Sequence, residues 1–120
     1  MPDAYSERLA RVRQRFVSAL EGKIEDTYRA LPDLVKTAPS GVEALEETYR
    51  RIHSLVGVGP TVGFARTGSA ARSVENILLS PHQARRVMTD TEMTSLKKAL
   101  HALRETAHSE LQSFYAGGWR

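Results

Sequence analysis

The sequence predicts an all-α fold: an antiparallel, up-down-up-down four-helix bundle, with room for one additional amino-terminal or connecting helix. Three observations predict it. Apolar residues return at intervals of three and four along almost the whole chain, the period of one buried stripe per helix. Helix-start signals and Pro/Gly stops divide that pattern into four long stretches with short connectors. No stretch alternates apolar and polar residues as a half-buried strand would. Helices with one stripe each and short connectors bury those stripes most economically against neighbours running the opposite way.

The first stripe is Tyr5, Leu9, Val12, Phe16, Leu20, Ile24, Tyr28 and Leu31. Asp3 stands where its cap belongs, and Pro32 lies just past its end. Gly22 falls in the middle and leaves open one long helix or two. Residues 32–40 break the period and form a connector. Ser40 and Glu43 have capping-box spacing, in which hydroxyl and carboxylate satisfy orphaned backbone donors. They open a second helix with the stripe Val42, Leu45, Tyr49, Ile52 and Val56, stopped by Gly57-Val58-Gly59-Pro60. A third helix is expected to restart at Thr61 or a near neighbour, burying Phe64, Ala71, Val74 and Leu78. Ser80-Pro81 has the form of a cap followed by proline at the first helical position, opening a short turn. Thr89 and Glu92 repeat the capping-box spacing. Met93, Leu96, Leu100, Leu103, Ala107, Leu111 and Phe114 complete the last stripe, with Gly117 as its stop.

A chain of 120 residues, 41% hydrophobic and 26% charged, suits one packed domain over residues 1–120. The absence of cysteine excludes disulfides, a thiol nucleophile and a thiolate metal site, and it fits a reducing cytoplasm. The start, Met1 to Arg8, leads into a charged amphipathic stretch with no apolar signal core. No apolar run approaches the ~20 residues of a membrane span, so a cytoplasmic location is expected. The net charge is +3 and unevenly spread. Between residues 50 and 86 stand Arg50, Arg51, Arg66, Arg72, Arg85 and Arg86, with Glu75 the only acid. Such a segment is either a surface for an anionic partner or a solvated helix face.

At 100° per residue, His53 falls roughly 60–80° from the centre of the second stripe, on the shoulder of its helix. Tyr49 and Arg50 lie one turn before it and Gly57 one turn after. Gly57 ends the helix and also omits the side chain that would crowd the imidazole from the next turn. A neutral imidazole near pH 7 is a competent nitrogen nucleophile. No aspartate is placed by sequence to orient the ring, which fits a passive acceptor better than a hydrolase.

The run His53-Ser54-Leu55-Val56-Gly57, then Gly63-Phe64, then Ala71-Arg72 and Glu75, resembles the histidine phosphotransfer (HPt) family. That family's pattern reads His-x-Leu-Lys-Gly, a Gly-Phe-like pair ten and eleven residues after the histidine, and an Ala-Arg-x-x-Glu-like stretch. Phe16 and the long last helix also fit. The likeness covers most of the chain and is closely patterned over residues 49–78.

The resemblance implies a phosphoryl carrier, not an enzyme. His53 would take a phosphoryl group from the aspartyl phosphate of a response-regulator receiver domain, or from a histidine kinase, and pass it to another receiver. Gly57 would hold the access position. The receiver brings its own acidic pocket and magnesium, so no metal or cofactor is expected on this chain. Neither nucleic acid nor a membrane is an expected partner. The family's lysine three residues after the histidine is replaced here by Val56. Arg50, Arg66 or Arg72 is then expected to supply the positive field, their planar forks suiting phosphate and carboxylate. Ser54 and Val56 are expected beside the contact. Val58, Val62 and the exposed edges of Leu55 would form its desolvated centre.

Two other readings compete. One is a helical adaptor that binds receiver or kinase domains without being phosphorylated. The other is a basic helical module tracking nucleic-acid phosphates, although no helix-turn-helix is evident and the aromatics lie mostly on core stripes. His101, Glu105 and His108 share one face of the last helix and read as surface residues, since a lone helical triplet lacks the closed shell of a zinc site. His82 follows Pro81 in a turn with no evident partner. Fully used stripes on every helix lean towards a monomer. The sequence leaves open a free-standing protein or the front piece of a larger histidine kinase.

Overall fold

Asp3 opens the first helix by accepting the Ser6 backbone N–H on its carboxylate at 2.7 Å. This computed structural model describes residues 3–117; Met1, Pro2 and residues 118–120 lie outside the described residues. Helix α1, Ala4–Ala30, is one continuous helix through Gly22. A 3-10 segment, Leu31–Val35, leads to α2, Ser40–Val58. A 3-10 turn at Pro60–Val62 precedes α3, Ala65–Ala84, and the last helix is α4, Asp90–Ala116. No strand occurs among the described residues.

The contacts between helices give their directions. Lys23 meets Ser54, Thr27 meets Arg51, and Arg13 reaches the Val62 carbonyl beyond the end of α2. Numbers rise along α1 as they fall along α2. The pairs His53–Glu75 and Tyr49–His82 do the same for α2 and α3. Thr67–Glu110 places the start of α3 against the end of α4, and Glu25–Arg104 with the Val17–Phe114 cleft orients α4 on α1. The order is up-down-up-down. Leu20, Ile52, Leu55, Val74, Leu78, Leu96, Leu100 and Leu103 are fully buried between the four helices. Phe64 anchors one end of this core, its ring 5.3 Å from that of Phe16 and 5.8 Å from that of Phe114.

Several local expectations are corrected. Tyr5 and Val12, on the expected first stripe, are 65% and 38% exposed, because the amino-terminal part of α1 leaves that side uncovered. The stripe of α1 is therefore not fully used, which removes the argument it offered for a monomer. Ser40 caps nothing: α2 has Pro39 at the cap position, and the Glu43 N–H bonds the Pro39 carbonyl at 3.0 Å. Inside α2 the buried side is turned from Tyr49 towards Thr48 and Leu55. Helix α3 starts at Ala65, not Thr61, because residues 60–62 tighten into the 3-10 turn. Pro81 lies inside α3 rather than at a new start. It forfeits one bond in the last full turn, where the ladder is about to end, and it is buried against the core. Arg85, at φ 50°, closes α3 in the left-handed region, with the Arg86 N–H on the Pro81 carbonyl at 3.1 Å.

Thr89 and Glu92 form the expected capping box at the start of α4. Arg86 adds two parallel bonds to the same carboxylate, at 2.8 and 2.9 Å. Mainly through that guanidinium, and then through the Thr89 N–H, the Glu92 carboxyl is held down at about 2 against a usual 4.5. A depressed folded pKa stabilises above the unfolded value, and the contribution is lost as pH falls through the folded one. Melting temperature should therefore decline between pH 4.5 and about 2. Glu92→Gln should flatten that part of the profile; an unchanged profile would remove the pair as its source.

Helix α3 has Phe64 at its cap position and no side-chain cap of its own. The cap comes from α4: Glu110 accepts the Thr67 N–H and hydroxyl, each at 2.6 Å, and the Arg66 N–H at 3.4 Å. A carboxylate at a helix N-terminus satisfies orphan donors and the helix dipole together. Glu110→Ala should cost about 1–2 kcal/mol in urea unfolding, the usual scale for a lost cap.

Candidate functional site

Two helices can hold facing side chains in register only if their backbones are fixed against each other. Here α2 and α3 are fixed at their shared end. A Cβ on Gly59 would stand 2.8 Å from the Leu55 carbonyl oxygen and 3.3 Å from the Gly68 Cα, and one on Gly68 would stand 2.8 Å from the Pro60 ring. Neither position has room for a side chain. Between them, Gly63 turns the chain at φ 91°, a conformation that favours glycine, and sets Phe64 into the core. The Gly63-Phe64 pair is thus the hinge pin of the α2–α3 hairpin.

Counting back from that turn brings His53 opposite Glu75. The Glu75 carboxylate bonds Nδ1 of the imidazole. The His53 side chain is 65% exposed, whereas that of Glu75 is 10% exposed. Glu75 thus reaches the ring from within the bundle. A carboxylate accepts, so Nδ1 donates the hydrogen of this bond, and in the neutral tautomer of the ring that leaves the lone pair on Nε2. The sequence reading found no group to orient the ring. That is corrected: the group is a glutamate, brought from another helix by the hairpin.

The ring is held on a second side. Tyr49, one turn earlier, lies nearly parallel to it, with centroids 5.8 Å apart. His82 lies on Tyr49 at 4.1 Å and 7° between planes. His82 was expected in a turn without a partner; it belongs to the last turn of α3 and has one.

Gly57 is exposed, and a Cβ built there meets no atom within 4 Å. The space one turn past His53 is open. Arg72 is exposed on α3, one turn from Glu75 on the side towards Gly57, and Arg50 is exposed on α2 but paired with Glu46 at 2.8 Å. Ser54 is half-buried; its hydroxyl donates to the Arg51 carbonyl at 2.7 Å and accepts from Lys23 at 3.0 Å. Arg66 is not brought to this place. It lies nine residues, and so half a rotation of α3, from Glu75, with its backbone N–H facing Glu110. Val56 is 9% exposed and packs in the core, as do Leu55 and Val62. The apolar contact surface expected of Leu55 and Val62 is absent, since both are spent inside the bundle. Val58 remains half-buried.

His101, Glu105 and His108 are exposed, and the described residues contain no group of three or more potential metal ligands. No helix among the described residues is long and apolar enough to cross a membrane.

Glu75 as the ring's partner, the Tyr49–His82 stack and Lys23 all escaped the sequence reading. Glu75 belongs to the same motif as Ala71 and Arg72, but a spacing of 22 residues does not say which two side chains touch. Comparison with protein families matches the Hpt domain over residues 11–106. Comparison with curated proteins and with solved structures found no match. A match across most of the chain, on a four-helix bundle, places this chain in the Hpt domain family, the phosphotransfer modules of two-component signalling.

Proposed function

We propose that His53 is the phosphoacceptor of a phosphorelay and exchanges its phosphoryl group with the aspartate of a response-regulator receiver domain. The observation that carries this reading is an outward-facing imidazole whose Nδ1 is engaged by the buried Glu75 carboxylate, beside the open space at Gly57.

The chemistry follows from that arrangement. The Nε2 lone pair attacks the phosphorus of the partner's aspartyl phosphate. The N–P bond forms as the P–O bond to the aspartate breaks, and the aspartate leaves as a carboxylate. The ring becomes positively charged while the Nδ1 hydrogen stays on the bond to Glu75, whose negative charge offsets it. In the return direction the N–P bond breaks as a receiver aspartate attacks phosphorus, and the ring becomes neutral again. The magnesium and acidic pocket that assist phosphorus are the receiver's. This chain contributes a nucleophile, its orientation and a face to dock on, and it acts as a cytoplasmic carrier with no reaction of its own. Arg72 lies on the exposed flank beside Gly57 and supplies positive charge in place of the lysine that Val56 displaces.

Incubation with a receiver charged by a labelled phospho-donor should give a labelled chain whose phosphoryl group is acid-labile and base-stable. His53→Gln should abolish the label with helicity unchanged, since the side chain lies outside the core. A label that persists in that variant would refute the assignment.

Gly57→Leu separates access from stability. Its Cβ would meet no atom within 4 Å, and the change improves helix propensity by up to about 1 kcal/mol. The variant should melt no lower than wild type yet transfer at least tenfold more slowly. Undiminished transfer would mean that the open space plays no part.

Glu75→Ala should release Nδ1, so 15N spectra of His53 should pass from one tautomer to a mixture and acceptance should slow about tenfold or more. An unchanged tautomer would show that Glu75 does not orient the ring.

A further inference from the structure

The family's positive charge near the phosphoryl group comes from α2, three residues after the histidine, and this chain has Val56 there with its side chain in the core. We propose that α1 supplies a replacement: Lys23 is a phosphate-facing cation of this site. The inference rests on His53 being the phosphoacceptor.

Lys23 crosses from α1 to α2 and donates to the Ser54 hydroxyl at 3.0 Å, the residue next to His53. That hydroxyl spends its own hydrogen on the Arg51 carbonyl, so a lone pair is turned to the ammonium. The partner of Lys23 is thus neutral. Its neighbours differ. Arg50 is paired with Glu46, Arg29 with Asp26 and Arg104 with Glu25. Arg51 is directed at the Thr27 hydroxyl on the inner side of the α1–α2 seam. Among the described residues, Lys23 has no carboxylate to neutralise it.

An ammonium on a four-carbon stem is a mobile point charge. Held by one neutral hydroxyl, it gives up little when a phosphoryl oxygen becomes available one residue away, and it gains a charge-assisted bond. Arg72 stands on the α3 flank of His53 and Lys23 on the α1 flank, so the phosphoryl group would be met from both sides. Ser54 acts as the resting place that keeps the ammonium at the site before phosphate arrives.

The test uses phosphoramidate, whose P–N bond breaks to release ammonia as the His53 N–P bond forms, so no partner protein complicates the result. Wild-type chain should acquire phosphohistidine, followed by 31P NMR. Lys23→Met should slow its formation roughly tenfold, the scale of one hydrogen bond to a charged group. Lys23→Arg should retain most of the rate. Val56→Lys added to Lys23→Met should restore it, because the charge then returns from the family's own position. The slope of rate against ionic strength should fall in Lys23→Met and recover with the rescue.

If wild type acquires no phosphohistidine, the phosphoacceptor reading fails first. If wild type is labelled and Lys23→Met matches it, only the role of Lys23 is refuted. A slow Lys23→Met with a lowered melting temperature and no rescue by either basic variant also refutes it, since the lysine would then be a strut between α1 and α2.

Discussion

The site depends on how closely α2 and α3 can approach at their common end. Gly59 and Gly68 bring the two backbones to a separation that no side chain would tolerate, and Gly63 and Phe64 lock the turn between them. From that point the helices diverge with a fixed register. A shift by one residue would rotate Glu75 by 100° and withdraw its carboxylate from the ring. The orientation of an exposed histidine is therefore decided by packing several residues away, where nothing polar is involved.

This division decides how much of the fold is legible in the sequence alone. Period and punctuation are local, and they located all four helices, most of the core, the Thr89–Glu92 cap and the shoulder position of His53. The errors arose where a local signal met a tertiary competitor. Ser40 and Glu43 have the right spacing for a cap, yet the backbone at Pro39 already satisfies the donor. Pro81 looks like a beginning but is tolerated near an end, where the bond ladder is about to stop and its ring packs in the core. Glu75, His82, Lys23 and Glu110 act across helices, and linear spacing carries no such information. Val56 was legible both as a departure from the family and as a member of the buried stripe.

Polar groups in this bundle are placed with economy of charge. Glu110 serves the open end of α3, Glu92 serves both its own helix and Arg86, and Glu75 serves one nitrogen of one ring. Each is a carboxylate whose partner lies on another element or across a connector, so these three acids tie the hairpin, the α3–α4 connection and the α4 end together. Arg29 and Arg50 instead form exposed ion pairs, which contribute little to stability. A buried acid beside an exposed base is the exception, and it stands at the place where chemistry is proposed.

One consequence concerns partial opening. His53, Gly57, Arg72 and Glu75 all belong to the α2–α3 hairpin, whereas α1 leaves Tyr5 and Val12 uncovered at its amino-terminal part. Segments with fewer buried contacts detach first in local unfolding. Fraying of α1 would stop short of Lys23, because Phe16, Leu20 and Ile24 are buried around it. Imidazole, carboxylate and ammonium thus share one cooperatively packed unit, and only the uncovered start of α1 can melt apart from it.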